Sequence, residues 1–236
     1  MQGQILILLT AFIATILSTV VGFGSRILII AVLTLFIGIK EAIFIATLFS
    51  ILEYVMKTVY FRSYINVQLA ARLCSYMIPG IALGLFVFKY LDVHLMQILF
   101  SLFILAYIPY SLVKIKVKHH LGQFWLFLLM FIFGFLESVI GSGGPLLASI
   151  LIYEGNKRHK YIALASILFL VSALIRIFGY HMLRTFNVEY LFMIYLFLIT
   201  AAGIYIGEKL LKKLPAGLFN YVVLFVLLLV ALKNLV

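Results

Sequence analysis

A chain of 236 residues that is 66% hydrophobic and 11% charged carries less than half the charge of an average soluble domain, which is about 25% charged. That composition belongs in a bilayer, and at about 20 residues per crossing it allows at most about ten spans and no soluble catalytic domain. The formal charge of +11 would suggest nucleic acid on a soluble protein, but the basic residues here lie in short connections between apolar runs. That is a topology signal, and no nucleic-acid partner is expected.

Apolar runs fall at 4–22, 26–39, 41–61, 70–90 and 93–113, followed by a basic connection from Lys114 to His120. A second series follows at 121–141, 144–154, 160–183, 189–208 and 216–235. The N-terminal run has no basic residue before it, so it reads as a first span and not as a cleaved signal peptide. In both series the second run is too short to cross ~30 Å of hydrocarbon comfortably. Both short runs open on a glycine-rich break.

The second break, Ser138-Val139-Ile140-Gly141-Ser142-Gly143-Gly144-Pro145, has a counterpart 119 positions earlier in Thr19-Val20-Val21-Gly22-Phe23-Gly24-Ser25-Arg26. Glycine lets the backbone take φ > 0 and leaves the N–H groups of the next helical turn free, where an anion is favoured. One such break is equally well explained by tight helix packing. Two at matching places are the pattern of a transporter's central site.

The repeat extends further. Lys57 falls on Arg176 at the same offset, and with two to four extra residues in the second half Asn66-Val67 falls on Asn187-Val188 and the pair Gly80/Gly84 on Gly203/Gly207, whose spacing has a mainly structural meaning as close helix contact. Counting ten segments with the N-terminus outside, the inside connections hold Arg26, Arg62, Arg72, Lys114, Lys116, Lys118, Lys157, Arg158, Lys160, Lys209, Lys212 and Lys213. Outside remain Lys40, Lys89, Arg184 and Lys233. Counting eight spans separates the charges in neither orientation, so the ten-segment count fits the positive-inside rule better. Five segments is an odd number, which inverts the second repeat relative to the first. The expected fold is therefore an all-α integral membrane protein of two inverted repeats, 1–113 and 121–236, joined by a basic cytoplasmic linker at 114–120. Each repeat has about five helical segments, eight to ten in all, with glycine-broken short helices.

The two Gly-x-Gly-(Gly/Ser) breaks opening short helices, the basic third segment and the closing Gly-x-x-x-Gly helix with Lys212-Lys213 behind it resemble the TauE/SafE sulfite-exporter family of membrane permeases. The match is stronger in the second half, at Gly141-Ser142-Gly143-Gly144, whereas Ser25-Arg26 stands where family members more often continue with glycine. The resemblance implies transport of small sulfur-containing anions such as sulfite, sulfoacetate or other organosulfonates, or of related carboxylates.

An intramembrane charge costs a few kcal/mol, so each needs a partner or a function. Glu53 and Lys57, four apart on one helix, either neutralise each other or leave Lys57 to bind an anion with its repeat mate Arg176. Arg176 is the preferred anion-binding side chain because its planar fork makes two bonds to adjacent oxygens, with snorkelling to the outer surface as the competing reading. Arg26 reads equally as a site residue or an inside anchor. Glu137, whose repeat position is Ser18, is a proton-coupling residue if unpaired, or a partner of one of these cations; Glu53 is a second proton-coupling position. The expected substrate site is Gly22, Gly24, Ser25, Arg26, Lys57, Gly141, Ser142, Gly143, Gly144 and Arg176, at the midplane between the two breaks and worked by alternating access. Ser138 could donate a hydroxyl there, or the serines could be helix caps.

Cys74 is the only cysteine, so no intrachain disulfide forms, and no metal site, cofactor, ATP-binding loop or nucleophile–base set is expected. The chain is expected to be no enzyme but a multi-pass plasma-membrane permease, its partners a small anion and the lipid bilayer, with a homodimer left open. A non-transporting membrane scaffold is the alternative. Against a scaffold stand the paired breaks and the duplicated intramembrane cations.

Overall fold

The computed structural model describes residues 8–9, 12, 25–112, 122–153, 158–182, 194–195, 198–199, 201–203, 205–206, 209, 227–229 and 231–233. Every regular element among them is helical, and no strand occurs among the described residues. The helices are α1 (Ser25–Leu33), α2 (Ile39–Tyr60), α3 (Val67–Tyr90), α4 (Val93–Leu112), α5 (Gln123–Val139), α6 (Gly144–Tyr153) and α7 (Arg158–Met182), with a 3₁₀ turn at Arg62–Tyr64 between α2 and α3. Among the described residues, four segments are long and apolar enough to cross a membrane: Ile39–Tyr60, Val67–Tyr90, Val93–Tyr110 and His159–Met182. The chain is thus an all-α multi-pass membrane protein.

Local chemistry sets the ends of these helices. Asn66 caps α3, its side-chain oxygen accepting from the Leu69 N–H at 3.0 Å. The Asp92 carboxylate accepts from His94 N–H at 2.9 Å and Leu95 N–H at 3.3 Å, which starts α4 one residue later. The short run expected over 26–39 is helical only to Leu33. There Thr34 turns its hydroxyl back onto the Ala31 carbonyl at 2.7 Å, and the chain continues through turns to Gly38 before α2 begins. At 1.5 Å per residue α1 and α6 are about 14 and 15 Å long, about half the hydrocarbon thickness.

The described residues form two compact units, one from 1–49, 92–113 and 186–236 and the other from 50–91 and 114–185. Each unit draws on both halves of the sequence. In the first, α1 and the opening turns of α2 are strongly buried, with Ile27, Ile30, Ala31, Leu33, Ile39, Ala42, Ile43 and Ala46 fully enclosed.

The second unit is built on α3 and α5, which make its most extensive helix contact. Glycines allow it. A Cβ on Gly80 would meet the carbonyl oxygen of Phe131, and one on Gly134 the carbonyl oxygen of Met77. On Gly84 a Cβ would lie 2.6 Å from Ser138 Cβ and 2.8 Å from the Phe135 carbonyl oxygen. The Gly80/Gly84 spacing is therefore a backbone-to-backbone seam, as its sequence pattern suggested.

Direction follows from which residues meet. Along α3, Tyr76 packs edge-on against Phe127 and bonds to Gln123, Gly80 meets Phe131, and Gly84 meets Phe135 and Ser138, so α3 and α5 run parallel. Along α7, His159 stacks on Tyr64 just before α3 begins, whereas Gly179 and Tyr180 meet Leu85 and Phe88 near its end. Hence α3, α5 and α7 all start at one end of this unit and finish at the other. The last turns of α2 run the opposite way, with Tyr54 stacked on Phe169 and Phe61 beside His159. The starting end carries Arg62, Arg72, Arg158 and Lys160, and the connection Lys114–His120 leads into it in the sequence. It is the end that the positive-inside rule, applied to the sequence, leads one to expect on the cytoplasmic side.

Between α5, which ends far from the basic side, and α7, which starts on it, the chain must come back. It reverses at 140–143, where Gly141 takes φ 78°, a left-handed conformation suited to glycine at a helix C-terminus. Gly143 then lies beside Phe133, nearly two turns back along α5, at 3.1 Å from a Cβ position to the Phe133 carbonyl oxygen. So α6 begins inside the unit and returns toward the basic end. The short segment is the returning arm of a hairpin and does not cross the bilayer by itself.

Candidate functional site

The hairpin turn holds a buried ion pair. Arg176 and Glu137 are both fully enclosed, with Arg176 Nη2 3.3 Å from Glu137 Oε2. Arg176 Nη1 donates to the Glu137 backbone carbonyl at 2.7 Å, and the Gly143 N–H donates to Glu137 Oε1 at 2.6 Å. Tyr180, one turn after Arg176, places its hydroxyl 3.5 Å from the Ser138 carbonyl.

Each contact answers a demand of the helix ends. Glu137 is in the last turn of α5, where carbonyls lack intrahelical partners and the dipole is negative; the guanidinium binds one of those carbonyls and supplies opposite charge. Gly143 is the N-cap of α6, since its carbonyl accepts from the Leu147 N–H at 3.1 Å. The carboxylate sits at the positive end of that helix. The two broken helix ends and the two charges therefore neutralise one another in pairs, a condition for keeping a charge so deeply buried. Pro145 near the start of α6 costs nothing, because its missing N–H would have had no intrahelical acceptor.

Arg176 does not snorkel to the surface; it is fully buried on the face of α7 that also carries Ser172 and Tyr180 at four-residue spacing. Gly143 is joined to it through Glu137, with Gly141, Ser142 and Gly144 as its neighbours in the turn and Ser142 3% exposed. Lys57 does not join them. It pairs with Glu53 one turn earlier on α2, with 36% of its side chain exposed. Since Tyr54 is level with Phe169 and Phe61 with His159, Lys57 lies about 15 Å nearer the basic end than Arg176. In the other unit, Arg26 is buried in the first turn of α1 at 3% exposure, and Ser25 opens that helix. Gly22 and Gly24 lie outside the described residues.

Some neighbours were not picked out from the sequence. Phe133 packs on Gly143 and, edge-on at 5.7 Å, on Phe169, so an aromatic layer with Tyr54 lies on the side of the ion pair toward the basic end. The spacing Ser172, Arg176, Tyr180 was the available signal. Ser138 and Ser172 are wholly buried, and their hydroxyls make no hydrogen bond among the described residues. Among the described residues, no group of three or more His, Cys, Asp or Glu side chains could hold a metal ion.

A multi-pass helical membrane protein with a charged pair buried at a helix break has the architecture of a membrane transporter. The family model for the sulfite exporter TauE/SafE matches residues 7–234, nearly the whole chain, and the chain belongs to that family. That is a family of membrane transporters. No curated protein and no solved structure matches the chain.

Proposed function

We propose that this chain is a permease for small oxyanions, most of all sulfur-containing ones such as sulfite, sulfoacetate or another organosulfonate, in the plasma membrane. The observation that carries the reading is a fully buried guanidinium converging with the N–H of a helix N-cap on one carboxylate. Donors arranged to hold two oxygens of a carboxylate suit two oxygens of a sulfonate or sulfite equally. The substrate site comprises Gly141, Ser142, Gly143, Gly144 and Arg176, and its repeat counterpart comprises Gly22, Gly24, Ser25 and Arg26. Alternating access between two inverted repeats, 1–113 and 121–236, is the transport mode that the duplicated breaks support. Lys57 and Glu53, toward the opposite end from Arg176, stand where an inverted repeat would put the counterpart charge.

Glu137 is paired with Arg176, the second of its two sequence readings, and as the wholly buried carboxylate of the site it is still the proposed proton-coupling residue, since a proton on it would release the guanidinium. Uptake of labelled sulfite or sulfoacetate into vesicles holding the purified protein tests the reading. Arg176→Ala should abolish uptake while the protein remains inserted, and Glu137→Gln should remove its pH dependence. A folded wild-type protein that moves none of these anions would favour the scaffold alternative, and unchanged uptake in Arg176→Ala would remove the assigned site.

A further inference from the structure

The Glu137 carboxylate occupies the position in which an incoming anion would be held. Its Oε1 takes a hydrogen bond from the Gly143 N–H and its Oε2 pairs by charge with Arg176 Nη2 at 3.3 Å, so the helix N-cap and the guanidinium at the turn are both engaged by a group of the protein itself. A carboxylate spreads one charge over two oxygens on one atom, and so does one face of a sulfonate. We infer that Glu137 is a tethered substitute for the transported anion, and that the oxyanion binds by displacing it from Gly143 and Arg176 as it takes up a proton. This inference rests on the permease reading and adds to it a competition between substrate and side chain.

Several features support displacement over simple proton storage. Without Glu137, the buried Arg176 charge would need another anion, because an enclosed guanidinium without a counter-charge is strongly unfavourable. The exchange therefore has to be one anion for another, with the carboxyl leaving in neutral form if the buried charge is to stay balanced. Room for hydrogen bonding exceeds what the carboxylate uses: Ser172, one turn before Arg176 on the same face, is an enclosed hydroxyl without a hydrogen bond among the described residues. A third oxygen of a sulfonate has a donor of that kind to meet. The repeat counterpart of Glu137 is Ser18, so the tethered carboxylate belongs to one break of the two. On α7, Arg176 pairs with Glu137 and Tyr180 reaches the carbonyl of the adjacent Ser138; the first two turns of α6 carry no charged or titratable residue, and α3 presents Gly84 to Ser138.

Methanesulfonate is a suitable probe, because its own charge does not change between pH 5 and 8. Its binding to purified wild-type protein, measured by calorimetry in two buffers of different ionisation heat, should strengthen as pH falls and take up about one proton per anion. Glu137→Gln should bind it about tenfold or more tightly at pH 7.5, without pH dependence, as expected when a state populated at about a tenth or less becomes the resting one. Binding by wild type without proton uptake or pH dependence would overturn the competition while leaving the permease reading in place. So would a folded Glu137→Gln protein that binds no tighter than wild type. If Glu137→Gln does not fold, the wild-type proton uptake decides alone. No binding of methanesulfonate, sulfite or acetate by wild type at any pH from 5 to 8 would overturn the assigned anion site together with the competition.

Discussion

Replacing Arg176 with Met removes a charge but keeps much of the buried length. In the structure it deletes the 2.7 Å bond to the Glu137 carbonyl and the 3.3 Å approach to the Glu137 carboxylate, both fully enclosed. What remains is a buried carboxylate whose one directional donor among these contacts is the Gly143 N–H. Breaking a buried pair by removing one partner costs about 3–5 kcal/mol. At about 2–4 °C per kcal/mol for a chain of this length, the unfolding midpoint should fall by about 6–20 °C. Adding Glu137→Gln to this variant removes the stranded charge and keeps an oxygen for Gly143. The carbonyl of residue 137 still lacks its donor, worth about 1–3 kcal/mol, so the double variant should recover roughly half of the loss. Thermal unfolding of the four proteins in one detergent, followed by tryptophan or dye fluorescence, gives the cycle. If Arg176→Met shifts the midpoint by less than about 2 °C, or if the double variant loses the sum of the two single losses, the ion pair does not hold the hairpin turn and the reasoning fails.

Further outcomes follow from other contacts. Gly134→Leu should leave little folded protein, because its side chain would enter the backbone of Met77 and Ile81; overpacking costs about 1–3 kcal/mol even where side chains yield, and backbone yields less. Gly122→Ala, where a Cβ would find its nearest atom at 3.9 Å, should be neutral by size-exclusion profile and midpoint. Gly143→Ala should lower stability by about 1–3 kcal/mol through its 2.8 Å approach to the Phe133 ring, and Phe133→Leu should recover part of that in the same melt. Lys57→Gln should cost about 1 kcal/mol or less, since the pair with Glu53 is partly exposed, and a loss as large as that of Arg176→Met would contradict the contrast drawn here. In a Cys74→Ser background, Ser63→Cys should react with a membrane-impermeant thiol reagent only from the cytoplasmic side and His94→Cys only from the other. The reverse pattern would invert the orientation.

Much of this protein could be read from residue order. Hydropathy placed α2, α3, α4 and α7 within a few residues, because a ~30 Å apolar layer demands about 20 consecutive apolar residues whatever the tertiary fold. The Gly141–Gly144 break was legible for a similar reason: few residues other than glycine adopt the φ of 78° that turns the chain there. The Gly80/Gly84 spacing likewise announced a close helix contact, though the partner, Gly134 and its neighbours on α5, belongs to the other half of the sequence. Pairing across the fold was not legible. Sequence spacing made Glu53 and Lys57 partners because four residues is one helical turn, but nothing in the 38 residues between Glu137 and Arg176 says that those two meet. Only the parallel packing of α5 and α7 brings them together, and only the reversal at 140–143 carries Gly143 back to the same carboxylate. Sequence determines which residues are charged, apolar or free of a side chain, and through them the spans and the breaks. Tertiary structure decides which charge faces which, because a buried ion pair depends on contacts of a few Å that no local periodicity encodes.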